Sequence, residues 1–269
     1  GDVDQLPGVG PGRVLADMLD SGVIPTARLK TLHRQAAASY INVNAQRINR
    51  GEKLDLSGTA GDFWFYSEAD ASKIPEIILK ACKAVPRQFG FGLAEIQVLC
   101  PQKRSPIGTE NLNKELRPVL NYDGQKLPGV PFMTGDRVIQ TRNNYKLDVF
   151  NGDIGRIDGA NEDGLVVSFE DLQGERKVRY PLSDVGELQL AYALTIHKSQ
   201  GSEFPVVIIP VHTSNYMMLK RNLLYTGITR GKKLVVLVGA MKAVNVAIRT
   251  MDSSQRFSNL KSFIAEGTR

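Results

Sequence analysis

Residues 194–230 read LTIHKSQGSEFPVVIIPVHTSNYMMLKRNLLYTGITR. The run 205–211 (PVVIIPV) is continuously apolar and β-branched, which predicts a strand buried on both faces. Before it lies a polar, glycine-containing loop, TIHKSQGSE (195–203). After it, residues 219–228 read as a helix, and the stretch ends on an isolated cation, Arg230. A loop, a buried strand and a helix presenting a cation suit a site that handles phosphates and a polyanion.

Around this stretch, strands and helices alternate. Residues 27–33 (ARLKTLH), 62–67 (DFWFYS) and 95–101 (EIQVLCP) read as strands. Residues 39–50 form an amphipathic helix with Ser39 as its cap and Gly51 as its stop. A second helix covers 70–85 with an early proline, and a third covers 109–120 until Pro118. Near the start, Val14, Leu15, Met18 and Leu19 recur at helical spacing, with Gly22 beyond them. Downstream come a strand at 234–239, a helix at 242–250 and an amphipathic helix at 255–265. This alternation predicts an α/β fold on a mainly parallel sheet.

Between 131 and 187 the texture changes. Short strands (DRVIQTRN, GDIGRIDGA, GLVVSFED, RKVRYPL) are punctuated by turn pairs such as Asn151-Gly152 and Asp163-Gly164. They predict a small all-β barrel inserted into the α/β fold. The opening loop, Gly1–Gly12, holds glycines and prolines that exclude a helix. A domain seldom starts on such a loop, so we expect a fragment with a strand ahead of Gly1.

Composition narrows the class. Of 269 residues, 42% are hydrophobic and 23% charged, enough to bury a core and exclude disorder. No apolar run approaches the roughly 20 residues of a membrane span, and no signal-peptide pattern opens the chain. A cytoplasmic protein is expected. Cys82 and Cys100 form no CxxC pair, and His33, His197 and His212 are scattered, so no metal cluster is expected. The net charge of +6 favours a polyanionic partner such as nucleic acid.

Taken singly, each polar motif has a bland alternative. Gln5 in GDVDQLPGVGPG could bond a phosphate oxygen or orient a water, or merely stabilise a turn. Arg34 offers a planar fork to a phosphate, or a surface ion pair. Thr195, His197, Lys198 and Ser199 offer donors to a nucleic-acid backbone, Gly201 allows close approach and Glu203 can accept from a ribose; the alternative is a solvated loop. Arg230, beside Tyr225, Thr226 and Thr229, could stabilise charge on a transferred phosphoryl group, or cap a helix C-terminus.

Together and in order, GDVDQLPGVGPG, LKTLHRQ, LTIHKSQGSEF and LLYTGITRGKK resemble the later motifs of superfamily-one DNA helicases, in the RecD-like branch. VLCPQKRSPIGTENLN (98–113) and FMTGDRVIQTRNNYKLDVFNGDIGRI (132–157) extend the resemblance, the second to that branch's SH3-like barrel. It implies a RecA-like, P-loop-NTPase-type motor domain with an inserted SH3-like barrel. Residues 1–25 would end a first motor domain, 26–130 and 188–269 would form the second, and 131–187 the barrel. It implies that Gln5 senses the γ-phosphate of ATP, that Arg34 and Arg230 contact it with Arg230 as the arginine finger, and that Gln200, Gly201 and Glu203 lie by the nucleotide. Thr195, His197, Lys198, Ser199, Asn113, Tyr225 and Thr226 would face single-stranded DNA, with Asn143 and Asn151 of the barrel contacting or separating strands. Movement would run 5′ to 3′.

No GxxxxGK[ST] loop occurs in the sequence, and no Asp-Glu pair follows a hydrophobic run. The main binding groups for ATP and Mg2+ are thus expected in a preceding N-terminal motor domain, and this stretch alone should be inactive. Other repair or recombination subunits are further expected partners. The competing class is a non-catalytic nucleic-acid-binding module on a helicase scaffold. A nuclease subunit is a weaker third, since no cluster of metal-binding carboxylates is evident.

Overall fold

The structure, a computed structural model, describes all residues except 9, 11, 28–38, 58–60, 162–163, 172–173, 252–257 and 267–269. In chain order the first elements are α1 (Val14–Asp20), α2 (Tyr40–Asn49), β1 (Phe63–Ser67), α3 (Ile74–Phe89), β2 (Ile96–Cys100) and α4 (Thr109–Leu120). Then come β3 (Arg137–Gln140), β4 (Ile154–Asn161), β5 (Gly164–Asp171), β6 (Gly174–Tyr180), β7 (Leu188–Leu190) and β8 (Ala193–Thr195). The chain continues through β9 (Phe204–Val211), α5 (Arg221–Ile228), β10 (Gly231–Gly239), α6 (Met241–Arg249) and α7 (Leu260–Glu266).

Five strands form one sheet in the order β1-β10-β9-β2-β8, with every neighbouring pair parallel. Side-chain alternation sorts its two faces. Val207, Ile209, Val211, Val235 and Leu237 pack with Ile41, Ile48, Leu224 and Ala247 of α2, α5 and α6. Val206, Ile208, Leu234, Val236 and Val238 pack with Ile74, Ile78, Leu112 and Leu116 of α3 and α4. Both faces are covered, which is why β9 and β10 are apolar throughout. Pro205 and Pro210 lie outside the rungs at 206–208 that join β9 to β2.

The second sheet, β6-β5-β4-β3-β7, is antiparallel and encloses Val138, Ile157, Leu165, Val167 and Tyr180. It is inserted between α4 and β8, so two neighbouring strands of the parallel sheet, β2 and β8, bracket the whole barrel. It also takes in β7, which pairs with β3 just past residue 187.

Two consecutive residues fasten the barrel to the parallel sheet. Asp136, fully buried, accepts from Arg117 Nε (3.0 Å), Asn121 Nδ2 (3.0 Å), Tyr192 Oη (2.9 Å) and the Met133 amide (2.7 Å). Arg137 turns the other way and donates to the Ile96 carbonyl at 2.8 Å and to that of Ala94.

Several elements differ from expectation. α1 buries no side chain, and Val14 stays 57% exposed, although α7 packs against this helix. α3 runs through Pro86 to Phe89 and closes on Gly90, whose φ is 74°. α4 likewise continues past Pro118. In both, buried apolar faces outweigh the one hydrogen bond a proline removes. α5 starts at Arg221, after a 3-10 segment at Thr213–Met218. Residues 28–33 of the expected strand and Arg34 lie outside the described residues, and the helix expected at 255–265 is found as α7 over Leu260–Glu266. As expected, the Ser39 hydroxyl accepts from the Asn42 amide at the start of α2, and Gly51 follows with φ 77°.

Candidate functional site

Residues 2–6 lie as a strap across α5, α2 and the loop before β9. The Leu6 amide donates to Thr226 Oγ1 (2.8 Å), and its carbonyl accepts from Gln200 Nε2 (2.8 Å). Asp4 accepts from Asn49 Nδ2 (3.0 Å), and Asp2 accepts from Tyr225 Oη (3.0 Å). Gln5 Oε1 accepts from Arg230 Nη2 at 2.9 Å. The structure thus brings Gln5, Gln200, Tyr225, Thr226 and Arg230 together from opposite ends of the chain.

Arg230 is only 6% exposed. Its guanidinium donates to the Ser202 carbonyl (3.0 Å), the Thr226 carbonyl (3.3 Å) and Gln5 Oε1, all uncharged oxygens. Burial pulls its pKa down, while Glu203 and Asp2 push it up from beyond bonding distance. A buried cation whose bonded partners are neutral is prepared for an anion. Glu203 itself pairs with Lys232 at 3.1 Å. Gly201 turns the loop with φ 84°, a conformation that side chains resist.

The loop's other end faces the barrel. A cleft of about 460 Å³ runs between β8 and the barrel, lined by Lys103, Lys114, Phe132, Gln189, Thr195 and Lys198. Lys198 lies near Gln189 Oε1 (3.4 Å), and burial, then Lys103, lowers its pKa. His197 is on the surface, its pKa lowered by partial burial and then by Lys220.

Three expected contact residues have hydrogen-bond partners within the chain, and Asn113 among them also lines this cleft. Ser199 is fully buried and donates to the Ile196 carbonyl (2.8 Å). Asn113 bonds the carbonyl and amide of Ala193, both at 2.9 Å, tying α4 to β8. Thr226, also fully buried, holds Leu6. In the barrel, Asn143 is exposed, and its Oδ1 accepts from the Asn151 amide at 3.0 Å. Asp2, Asp4 and Asn49 escaped the sequence reading; the alternation of acids with Gln5 in the opening loop was their one signal.

Comparisons with known proteins find relatives for most of the chain. Residues 190–238, from β7 through most of β10, match the UvrD-like helicase C-terminal domain. Residues 112–169 match the ATP-dependent RecD-like DNA helicase SH3 domain. The chain is a relative of the RecD-like DNA helicases. It is 32% identical over 250 residues to the ATP-dependent RecD2 DNA helicase of Deinococcus radiodurans, covering 92% of this chain and 33% of that one. It is 28% identical over 263 residues to the RecBCD enzyme subunit RecD of Mycobacterium tuberculosis, covering 92% and 45%. This RecD-like chain therefore spans a third to a half of the length of these curated relatives. A crystal structure of Pif1 helicase from Bacteroides with ADP-AlF3 and ssDNA overlaps all of this chain and 65% of that one, at 17% identity and a TM-score of 0.49.

Arg230 is placed to exchange the neutral Gln5 oxygen for the oxygen of an anion. Among the described residues, no group of three or more His, Cys, Asp or Glu side chains is placed to hold a metal ion. No described helix is long and apolar enough to cross a membrane.

Proposed function

We propose that this chain is the C-terminal motor region of an ATP-dependent DNA helicase of the RecD type, moving 5′ to 3′ on single-stranded DNA. The observation that carries the reading is the Gln5–Arg230 hydrogen bond, which joins residues 225 positions apart. Residues 1–25 end a first motor domain, 26–130 and 188–269 form the second, and 131–187 the barrel. ATP supplies the phosphoryl group whose transfer to water drives movement. Arg230, with Arg34, offsets negative charge on that group, and Gln5 reports its presence to the strap. Gln200 and Glu203 hold the loop beside the nucleotide, and Gly201 lets its backbone approach. Thr195, His197 and Lys198 line the path of single-stranded DNA with Lys103 and Lys114. Ser199, Asn113 and Thr226 act through the segments they hold. A preceding motor domain provides the phosphate loop and the Mg2+ carboxylates, so this stretch alone turns ATP over negligibly. Cytoplasmic repair or recombination subunits are further partners.

The test is Arg230→Ala in the full-length protein. DNA-stimulated hydrolysis falls by roughly 10³-fold or more, while affinity for single-stranded DNA stays within about twofold. Equal loss of both refutes the arginine-finger role. A wild-type protein that binds DNA without hydrolysing ATP supports the alternative, a binding module on a helicase scaffold, for which the lysine-lined cleft suffices.

A further inference from the structure

The amide of Gln5 can face two ways, and its neighbours decide which. Arg230 can only donate, so the atom facing it must be Oε1. The Asp2 carboxylate can only accept, and Gln5 Nε2 donates to its Oδ2 at 3.1 Å. Both ends therefore select the same orientation, and together they hold the side chain at two points. The same Asp2 oxygen accepts from Tyr225 Oη at 3.0 Å, while Oδ1 accepts from the Asp4 amide at 3.0 Å. Tyr225 lies on α5, five residues before Arg230. The helix that presents this hydroxyl thus ends two residues before the cation, so one element sets the positions of both.

We propose that Asp2 and Tyr225 are positioning residues, which hold the Gln5 amide with its oxygen toward Arg230 and so set the geometry in which a nucleotide's terminal phosphate is met. The proposal rests on the reading of Gln5 and Arg230 as phosphate contacts. It gives Tyr225 a role turned toward the strap rather than toward DNA. Burial, and then the Asp2 carboxylate, raises the Tyr225 pKa, so the hydroxyl keeps the proton it donates. Without Asp2, the Gln5 side chain loses the bond that holds its amide nitrogen, and the Arg230 contact alone must keep the oxygen in place against side-chain rotation.

Three variants of the full-length protein test this: Gln5→Ala, Asp2→Ala, and Tyr225→Phe, which keeps the ring and removes only the hydroxyl. Steady-state hydrolysis with saturating single-stranded DNA gives kcat and KM. Asp2→Ala lowers kcat by roughly 10- to 100-fold, and Tyr225→Phe lowers it less, in the same direction. Thermal midpoints and DNA affinity stay close to wild type. The decisive readout is the double variant: in a Gln5→Ala background, Asp2→Ala has no further effect on kcat, because its action passes through Gln5. Full additivity, or unchanged kcat in Asp2→Ala while Gln5→Ala is impaired, overturns the proposal and leaves the Gln5 reading standing. Unchanged kcat in Gln5→Ala overturns that underlying reading, and this proposal with it.

Discussion

Replacing Asp136 with alanine tests how the barrel is joined to the motor fold. The carboxylate has no solvent exposure, and its partner Arg117 is 20% exposed. Removing it strands the Arg117 guanidinium beside the Pro131 carbonyl alone, at 3.3 Å. The Tyr192 hydroxyl and the Met133 amide each lose an acceptor, whereas Asn121 keeps the Thr134 carbonyl at 2.8 Å. Breaking a buried pair while leaving the other charge in place costs about 3–5 kcal/mol. The control is Glu76→Ala, which loses Lys80, a side chain 72% exposed. A surface pair of that kind contributes about 0–1 kcal/mol. Equilibrium urea unfolding separates the two cases. Trp64, the single tryptophan, lies in β1 of the parallel sheet, so its fluorescence follows that sheet, while far-UV circular dichroism follows both sheets. In Asp136→Ala the two signals stop coinciding as the barrel releases first. A loss below about 1 kcal/mol with coincident transitions would refute the view that this buried cluster fastens the barrel.

Two other outcomes follow from the loops that border the site. Because burial and Lys220 lower the His197 pKa, its NMR titration midpoint lies below about 6.5 in the free protein and rises when an oligonucleotide binds. The sign for stability follows: the unfolded chain takes up the proton first, so the contribution is complete above about pH 6.5 and lost as pH falls through the folded midpoint. A midpoint at or above that of an ordinary imidazole in the free protein would contradict this. Gly108→Ala lowers stability by about 1–3 kcal/mol in a thermal melt, because the new Cβ meets the Lys103 carbonyl, a backbone atom that no rotamer change relieves. An unchanged melt would mean that the 101–108 loop yields freely.

Much of the fold was legible locally. β9 and β10 declared themselves as apolar runs buried on two faces, and α2 by the serine and glycine at its ends. The barrel showed in short strands and turn pairs. Where local reading failed, packing had overridden propensity. Pro86 and Pro118 did not end their helices, because Val85 and Leu116 are anchored in the core. Conversely, α1 has helical spacing and no buried side chain, since spacing says nothing about what lies opposite.

The site divides in the same way. Gln5 and Arg230 could be named from the sequence because ordered motifs surround them, and Gln200, Gly201 and Glu203 because they share one loop. Sequence order alone could not reveal that Asp2 reaches Tyr225 or that Leu6 rests on Thr226, pairs 223 and 220 positions apart. Nor could it tell that Ser199, Asn113 and Thr226 have partners within the chain, since a polar residue in a motif reads the same whether it meets a ligand or a buried carbonyl. The stretch 194–230 by itself determined a loop, a buried strand and a cation-tipped helix, because hydrophobic period and charge are local properties. Only the tertiary structure decided which of its donors were already used within the chain, because hydrogen bonds are made across space and the strap that takes them comes from the chain's other end.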